Sequence, residues 1–275
     1  MDARSAANRV IKAICRGDRT DMALNPLMML IMILAYVIFS VYYMYIVHSI
    51  EAYADLPFFF SLAVLILVLI ACSMPLLIIY LLLIRNRRHS KRESDLRAAL
   101  IDYLASQQDG PTGPDGLNEI RKKDEEIREN EKPASPKNVI YLAASAVIVS
   151  VIVWVAPYIH EHLGEVSYIL IVAFLLIGMS MFPSITSMPY EHEDHFIEFY
   201  GLARASFQRI GIELSEFPAT IKETDYDKMR TYSILTLGLY SVYWAYVCLS
   251  SMNKHFAAHR KAEFEIIGSI KAIAE

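Results

Sequence analysis

The sequence has little cysteine, little net charge and few recognisable catalytic motifs. Its three cysteines, among 275 residues, are odd in number and widely spaced, which argues against a disulfide framework and a cysteine metal cage. A formal net charge of −4 gives no basic excess for nucleic acid, and we predict no nucleic-acid partner. Nucleophile-elbow, Walker A, paired-aspartate and Cys-x-x-Cys patterns are absent, so no catalytic residue and no cofactor is assigned and the chain is expected not to be an enzyme.

Long apolar runs are the main feature of the sequence. Apolar residues make up 55% of the chain, and five stretches carry no Asp, Glu, Lys or Arg over about 19 residues or more: 26–47, 57–84, 139–159, 166–188 and 232–250. These runs predict an all-α polytopic membrane protein with two transmembrane hairpins, a fifth apolar helix and amphipathic cytoplasmic helices. The lipid bilayer is then a partner.

Basic residues predict the orientation of these spans. Lys and Arg before the fifth run lie in the N-terminal arm and in the stretches 85–138 and 189–230, whereas both short hairpin loops have none. The positive-inside rule then places the arm and both long connections in the cytoplasm. We expect a multi-pass protein of the cell membrane with a cytoplasmic N-terminus and an outside C-terminus.

These features divide the chain into five predicted regions. Residues 1–25 form a basic amphipathic arm, 26–107 the first hairpin with its cytoplasmic helix, and 108–138 a flexible charged linker. Residues 139–231 form the second hairpin with its helix. Residues 232–275 hold the fifth apolar helix and a C-terminal amphipathic helix.

An internal repeat follows the second, fourth and fifth runs. A basic residue stands three positions before an acidic one, and a large apolar residue comes next. The three copies contain Arg92, Asp95 and Leu96; His195, Glu198 and Phe199; and Arg260, Glu263 and Phe264. Helical continuation gives each copy an apolar stripe, so one interpretation is three packed helices with exposed ion pairs.

A second interpretation of the repeat is a shared site for a metal or a lipid headgroup. Imidazole and carboxylate groups are ligands that zinc and iron accept. The candidate ligands are His192, His195, Glu198, His255, His259 and Glu263, with His89 and Asp95 from the first copy. His160 and His162 in the second hairpin loop form a weaker candidate.

The fifth run contains a face suited to helix packing, formed by Gly238, Tyr240, Tyr243 and Trp244. This segment resembles an uncharacterised family of small prokaryotic membrane proteins with the pattern T-x-G-[IL]-Y-x-x-Y-W-x-Y, followed in archaeal-like members by N-x-H-F-x-x-H-[RK]-x-x-E. The matching residues are Thr236, Gly238, Tyr240, Tyr243, Trp244, Tyr246, Asn253, His255, Phe256, His259, Arg260 and Glu263. The resemblance implies a membrane location and no particular chemistry.

Three functions remain open from the sequence. The favoured one is a non-catalytic scaffold or accessory subunit of a membrane complex, with a homo-oligomer or a membrane-protein partner. The alternatives are a channel or transporter for a neutral or lipidic solute, and a metal-dependent membrane enzyme that uses the His and acidic residues of the repeat.

Overall fold

A computed structural model describes residues 2–21, 23–27, 30–31, 33–34, 37–38, 58–107, 114–131, 135–159, 183–223, 225–236 and 239–274. The regular secondary structure of this part is helical, which confirms the all-α prediction there. The helices are α1 (Ala3–Cys15), α2 (Gly17–Thr20), α3 (Phe58–Ser106), α4 (Pro114–Asn130), α5 (Lys137–Ile159), α6 (Pro183–Arg209), α7 (Tyr226–Leu235) and α8 (Leu239–Ala274).

The prediction of a polytopic membrane protein requires correction. Across the described ranges, none of the helices combines the length and the apolar character needed to cross a membrane. Transmembrane hairpins, a multi-pass location in the cell membrane and an outside C-terminus are therefore wrong as predictions. The first run, 26–47, and the fourth, 166–188, lie mostly outside the described residues.

Helix packing explains part of the difference between the predicted membrane spans and the structure. A hydropathy count assigns every apolar residue of a run to lipid, but a run also supplies residues for contacts between helices. One cluster of buried residues joins α3, α5 and α8: Leu76, Ile78, Ile79, Leu82, Leu83, Val139, Leu142 and Leu249. Other large apolar side chains on α3 and α5, including Ile70, Leu77, Ile148 and Ile152, are exposed, so the runs are only partly used inside the protein.

The fifth run is divided between two helices. Helix α7 ends at Leu235, and α8 begins at Leu239 and continues without interruption to Ala274. The apolar segment and the C-terminal amphipathic segment are therefore one helix of 36 residues. This continuity brings the third copy of the repeat against the first two, instead of placing it on the opposite side of a membrane.

The main core packs the second half of α3 against α1, α4, α6 and α8. Residues four apart on α3, namely Leu96, Leu100 and Leu104, are at most 2% exposed. Phe199, Ala203 and Phe207 form the matching stripe on α6. These are the stripes that the repeat predicts, because residues at i and i+4 share one face of a helix.

The third copy of the repeat packs in a different register. Phe264 is 62% exposed, and the buried stripe of α8 is Ala262, Ile266 and Ile270. Predicting Phe264 as a core residue was wrong, because the copies were aligned on Arg92 and Arg260. In the structure the equivalent pairs are His89 with Glu93 and His259 with Glu263, each four residues apart.

Segments outside the long helices complete this core. Helix α1 buries Ala6, Val10 and Ile14, so the apolar face of the N-terminal arm packs inside the protein. The region 108–138, predicted as a linker, contains α4, whose buried side chains include Leu117, Ile120 and Ile127.

A non-helical segment, residues 212–223, follows α6. Gly211 has φ +81°, a left-handed conformation that glycine adopts without steric cost. The Ile212 N–H bonds the Phe207 carbonyl at 2.9 Å, and the Gly211 N–H bonds that of Gln208 at 3.0 Å, which is the Schellman pattern. This cap ends α6 and directs Ile212, Leu214 and Phe217 into the core.

The corrected register makes a direct stability prediction. Phe199→Ala removes a side chain that is 0% exposed, and a cavity of this kind costs about 3–5 kcal/mol. Phe264→Ala removes the same atoms from an exposed position and is expected to cost less than about 1 kcal/mol. Urea unfolding measures both changes; equal losses would contradict the register.

Candidate metal centre

Five buried side chains from three helices converge between the main core and the buried cluster that joins α3, α5 and α8, which we call the apolar cluster. Helix α3 contributes His89 and Glu93, α6 contributes His192, and α8 contributes His255 and His259. We call these five residues the donor ring. Each is at most 4% exposed. Two pairs are four residues apart on one helix, a spacing that places both side chains on the same face.

The Glu93 carboxylate is a focal point of the donor ring. Its Oε2 lies 2.8 Å from His192 Nε2, 3.4 Å from His259 Nε2 and 3.6 Å from His89 Nε2. One ligand atom from each of His89, Glu93, His255 and His259 lies within 4.8 Å of the other three. Two ligands that each bind one ion at about 2.1 Å lie at most about 4.2 Å apart, so a small contraction would let these atoms share an ion.

Imidazole rings enclose this point at varied angles. The ring centroids of His89 lie 5.3 Å from His192, 5.2 Å from His255 and 4.9 Å from His259, all edge to face. His255 and His259 are 4.5 Å apart. Phe196, Phe217 and Phe256 pack around the histidines, with Phe196 at 4.0 Å from His259. Aromatic rings therefore cover part of the donor ring.

Three inward-facing atoms of the donor ring lack hydrogen-bond partners. Within the described part of the chain, this holds for Nε2 of His89, His255 and His259. His192 Nε2 and Glu93 Oε2 lie 2.8 Å apart and form an ion pair when His192 is protonated. Buried polar atoms are normally satisfied, and a cluster of unsatisfied ones points to an ion or a water.

A second layer of carboxylates lies behind the imidazoles. His89 Nδ1 is 3.0 Å from Asp21 Oδ1, His192 Nδ1 is 2.9 Å from Glu131 Oε2, and His255 Nδ1 is 2.8 Å from Glu193 Oε1. His259 Nδ1 lies 3.8 Å from Glu263 Oε1. We call these four the outer carboxylates.

The outer carboxylates fix the direction in which the rings present a lone pair. A carboxylate only accepts, so the close Nδ1 atoms donate to it, and in a neutral ring Nε2 keeps a lone pair directed inward. Carboxylate–histidine–metal arrangements of this kind are the usual second layer of protein metal sites. For His89 and His255, the local hydrogen bonding is therefore that of a metal ligand.

Two buried arginines hold the carboxylates in place. Arg97 donates to Glu93 Oε1 and, at 2.8 Å, to Asp124 Oδ1. Arg92 donates to Asp21 and Glu263. Because Arg97 occupies Oε1, the Oε2 atom of Glu93 is the one left facing the imidazoles.

The charges around the donor ring favour a cation. Glu93 and the four outer carboxylates carry at most five negative charges, and Arg92, Arg97 and protonated His192 carry three positive charges, which leaves at most −2. Burial raises the pKa of Glu263 to about 7, so this carboxylate is only partly ionised near neutral pH. A divalent ion in the donor ring would offset the net negative charge.

The pKa shifts of the histidines fall into two groups. Burial lowers the pKa of His89 to about 4 despite its bond to Asp21, and burial also lowers the pKa of His255 and His259. Burial opposes protonation of His192 as well, but Glu93 and Glu131 outweigh it and raise its pKa to about 10. Three rings are therefore neutral, the form that binds metals, while a proton on His192 supplies positive charge without an ion.

The structure separates the residues predicted from the repeat. His192, His255 and His259 lie in the donor ring, and Glu263 lies behind His259. His195 is partly exposed and contacts Glu131 at 3.5 Å, Glu198 is exposed and pairs with Lys123, and Asp95 pairs with Arg16 at 3.6 Å. His160 and His162 lie outside the described residues.

Sequence reasoning missed Glu93, Asp21, Glu131 and Glu193. Glu93 had a detectable signal, since His89-x3-Glu93 repeats in His259-x3-Glu263 and shares its spacing with His255-x3-His259. The outer carboxylates had none, because their positions follow from tertiary packing between distant segments.

The predicted packing face of the fifth run is also divided. Trp244 is 1% exposed, whereas Tyr243 is 54% exposed. Tyr240 is half-buried and lies between Tyr232 and Tyr243, at 5.2 Å and 5.5 Å between centroids. Gly238 lies outside the described residues.

Comparison with protein-family models, with curated proteins and with solved structures found no match to this chain. The resemblance of the C-terminal segment to an uncharacterised prokaryotic family therefore stays a prediction. What can be said about the centre rests on its geometry and chemistry.

Loss of a buried arginine should destabilise the centre strongly. Arg97→Met leaves Glu93 and Asp124 buried without their shared cation, which is expected to cost about 3–5 kcal/mol. Arg16→Met breaks an exposed pair with Asp95 and is expected to cost at most about 1 kcal/mol. Urea unfolding with a chelator present compares the two variants without a bound metal; similar losses would argue against a buried network.

Proposed function

We propose that this protein binds one transition-metal ion at the donor ring and that the ion has an organising rather than a catalytic role. The observation that carries the proposal is that His89, Glu93, His255 and His259 each offer a buried ligand atom within 4.8 Å of those of the other three. Among the described residues, the Nε2 atoms of these three histidines have no hydrogen-bond partner.

The outer carboxylates support the same conclusion. Histidines buried for packing alone would not each need a carboxylate on the side away from the other imidazoles. Here Asp21, Glu131 and Glu193 contact three Nδ1 atoms at 2.8–3.0 Å, and they come from three separate segments of the chain. This arrangement orients three imidazoles toward one point.

The donor types indicate the class of metal. Imidazole nitrogen with one carboxylate oxygen suits zinc, iron, manganese, cobalt or nickel, whereas calcium and magnesium prefer oxygen ligands. The three neutral imidazoles and Glu93 supply four donors, the number that a tetrahedral zinc site uses. His192 becomes a fifth donor only if metal binding displaces its proton, and the site then fits an ion that accepts five or six ligands, such as Fe²⁺.

Burial of the donor ring supports an organising role. Catalytic metal sites keep a position open for water or substrate, while structural sites are closed by protein ligands. All five donor residues are at most 4% exposed, and phenylalanine rings pack around them. An ion held by His89, Glu93, His255 and His259 would connect α3 and α8 directly, and α6 through Glu193 behind His255. Through the outer carboxylates it would also connect the N-terminal segment and the end of α4.

The first test is metal content. The purified protein is expected to contain about one equivalent of a transition metal by elemental analysis, and to lose thermal stability when a strong chelator removes it. His259→Ala should lower the metal content well below one equivalent. His195→Ala is the matched control, since this histidine lies outside the donor ring, and it should retain the metal.

Two results would overturn the proposal. One is a folded wild-type protein that contains no transition metal and binds none of Zn²⁺, Fe²⁺, Mn²⁺, Co²⁺ or Ni²⁺ when titrated. The other is a bound metal that His195→Ala removes as effectively as His259→Ala does.

The second test concerns the outer carboxylates. Glu193→Gln keeps the size of the side chain but removes the charge behind His255, and loss of such a partner lowers metal affinity about 10–100-fold. Glu191→Gln changes an exposed carboxylate on the same helix and should leave affinity unchanged. Competition with a chromophoric chelator measures both; equal affinities would remove the assigned role of Glu193.

A further inference from the structure

Arg85 is a buried arginine without a carboxylate beside it. It is 2% exposed, and its Nη1 donates to Asn253 Oδ1 at 3.2 Å. The guanidinium also lies 5.2 Å from the centre of the Phe256 ring. Among the described residues, Nε and Nη2 have no hydrogen-bond partner, and no carboxylate lies within ion-pair distance.

The other buried arginines show how unusual this is. Arg92 contacts Asp21 and Glu263, and Arg97 contacts Glu93 and Asp124, so each has two carboxylates. Arg85 belongs to the same helix, α3, and is equally buried. A buried charge is strongly destabilising unless a partner compensates it. Burial lowers the pKa of Arg85 to about 10, which reflects this missing compensation.

The free atoms have the geometry of an anion-binding edge. Nε and Nη2 lie on one edge of the planar guanidinium and donate two parallel hydrogen bonds, an arrangement that matches two oxygens of one carboxylate or phosphate. We propose that Arg85 binds an oxyanion through this edge, at a second site separate from the donor ring. Asn253 holds the other side of the guanidinium and fixes its orientation.

The neighbourhood of Arg85 provides a route for a ligand. Asn253 also exchanges two hydrogen bonds with the backbone of Leu24, in the non-helical segment 23–25. Displacement of this short segment breaks these two bonds and the packing of Leu24 against the apolar cluster. Leu82, Leu83 and Leu249, which lie at most four positions from Arg85 or Asn253 in the sequence, belong to the same buried apolar cluster.

Two sources of the oxyanion fit these surroundings. One is a free phosphate, and the other is an amphiphile whose carboxylate binds Arg85 while its chain lies along the apolar cluster. The shared chemistry is an anion with two oxygens available to one guanidinium edge. The two sources can be separated experimentally with inorganic phosphate and laurate.

The test is thermal unfolding of the full chain in a chloride buffer. We expect phosphate or laurate to raise the Tm of the wild type saturably, by about 5–10 °C at a hundredfold excess over its Kd. Arg85→Met replaces an unpaired buried charge with an apolar side chain of similar length, so it should unfold at the same or a higher Tm without ligand. Its Tm should not respond to either anion.

The variant keeps the whole donor ring, so an anion that acts on the metal would shift both proteins equally. A response to phosphate identifies a free oxyanion, and a response to laurate alone identifies an amphiphile. The proposal is overturned if neither anion shifts the wild type, or if Arg85→Met responds as the wild type does. A variant that unfolds earlier and keeps the response would assign Arg85 to packing alone.

Discussion

A carboxylate without access to water lies where three long helices meet, and its charge must be balanced by the protein around it. Glu93 is 0% exposed, and the other charged groups of this region are placed in relation to it. Arg97 neutralises one oxygen, and the imidazoles surround the other. Without these partners a buried carboxylate would take up a proton or oppose folding. The fold of the main core therefore depends on this compensation.

The two halves of α3 pack in two different environments, one apolar and one rich in charged residues. The first half of α3 packs through leucine and isoleucine against α5 and α8, and tolerates any apolar neighbour of suitable size. The second half buries arginine, histidine and glutamate, whose partners must be correct in position and charge. Polar interiors of this kind specify one arrangement of helices more narrowly than apolar ones do. Arg85 lies between these two halves of α3. Its guanidinium bonds Asn253, whereas Arg92 and Arg97 further along the helix each contact two carboxylates.

The sequence predicts helices well here and their environment less well. Periodicity identifies the stripes of α3 and α6, because four-residue spacing follows from helix geometry alone. It misassigns Phe264, because the alignment of a third copy can slip by two residues when few residues match between the copies. Long apolar runs predict membrane spans, but the letters of a run do not reveal which residues contact another helix. Leu82 and Leu249 look the same in either setting.

The centre is only partly visible in the sequence for a related reason. His255 and His259 can be paired by spacing, and so can His89 and Glu93, because both partners lie on one helix. Asp21 and Glu131 reach their histidines across 68 and 61 positions of sequence. No local pattern encodes such contacts, since they exist only after the helices have packed.

The spread of the donor ring along the chain also sets an order of events. Its first and last members are His89 and His259, and two of its five residues lie on α8, which follows α3 and α6 along the chain. During synthesis, α3 and α6 leave the ribosome before these last imidazoles exist. The buried Glu93 charge then has only part of its surroundings, and three helices cannot yet close over it. This interior is therefore completed only after α8 has been made, and an ion that needs all of these residues cannot be bound before then.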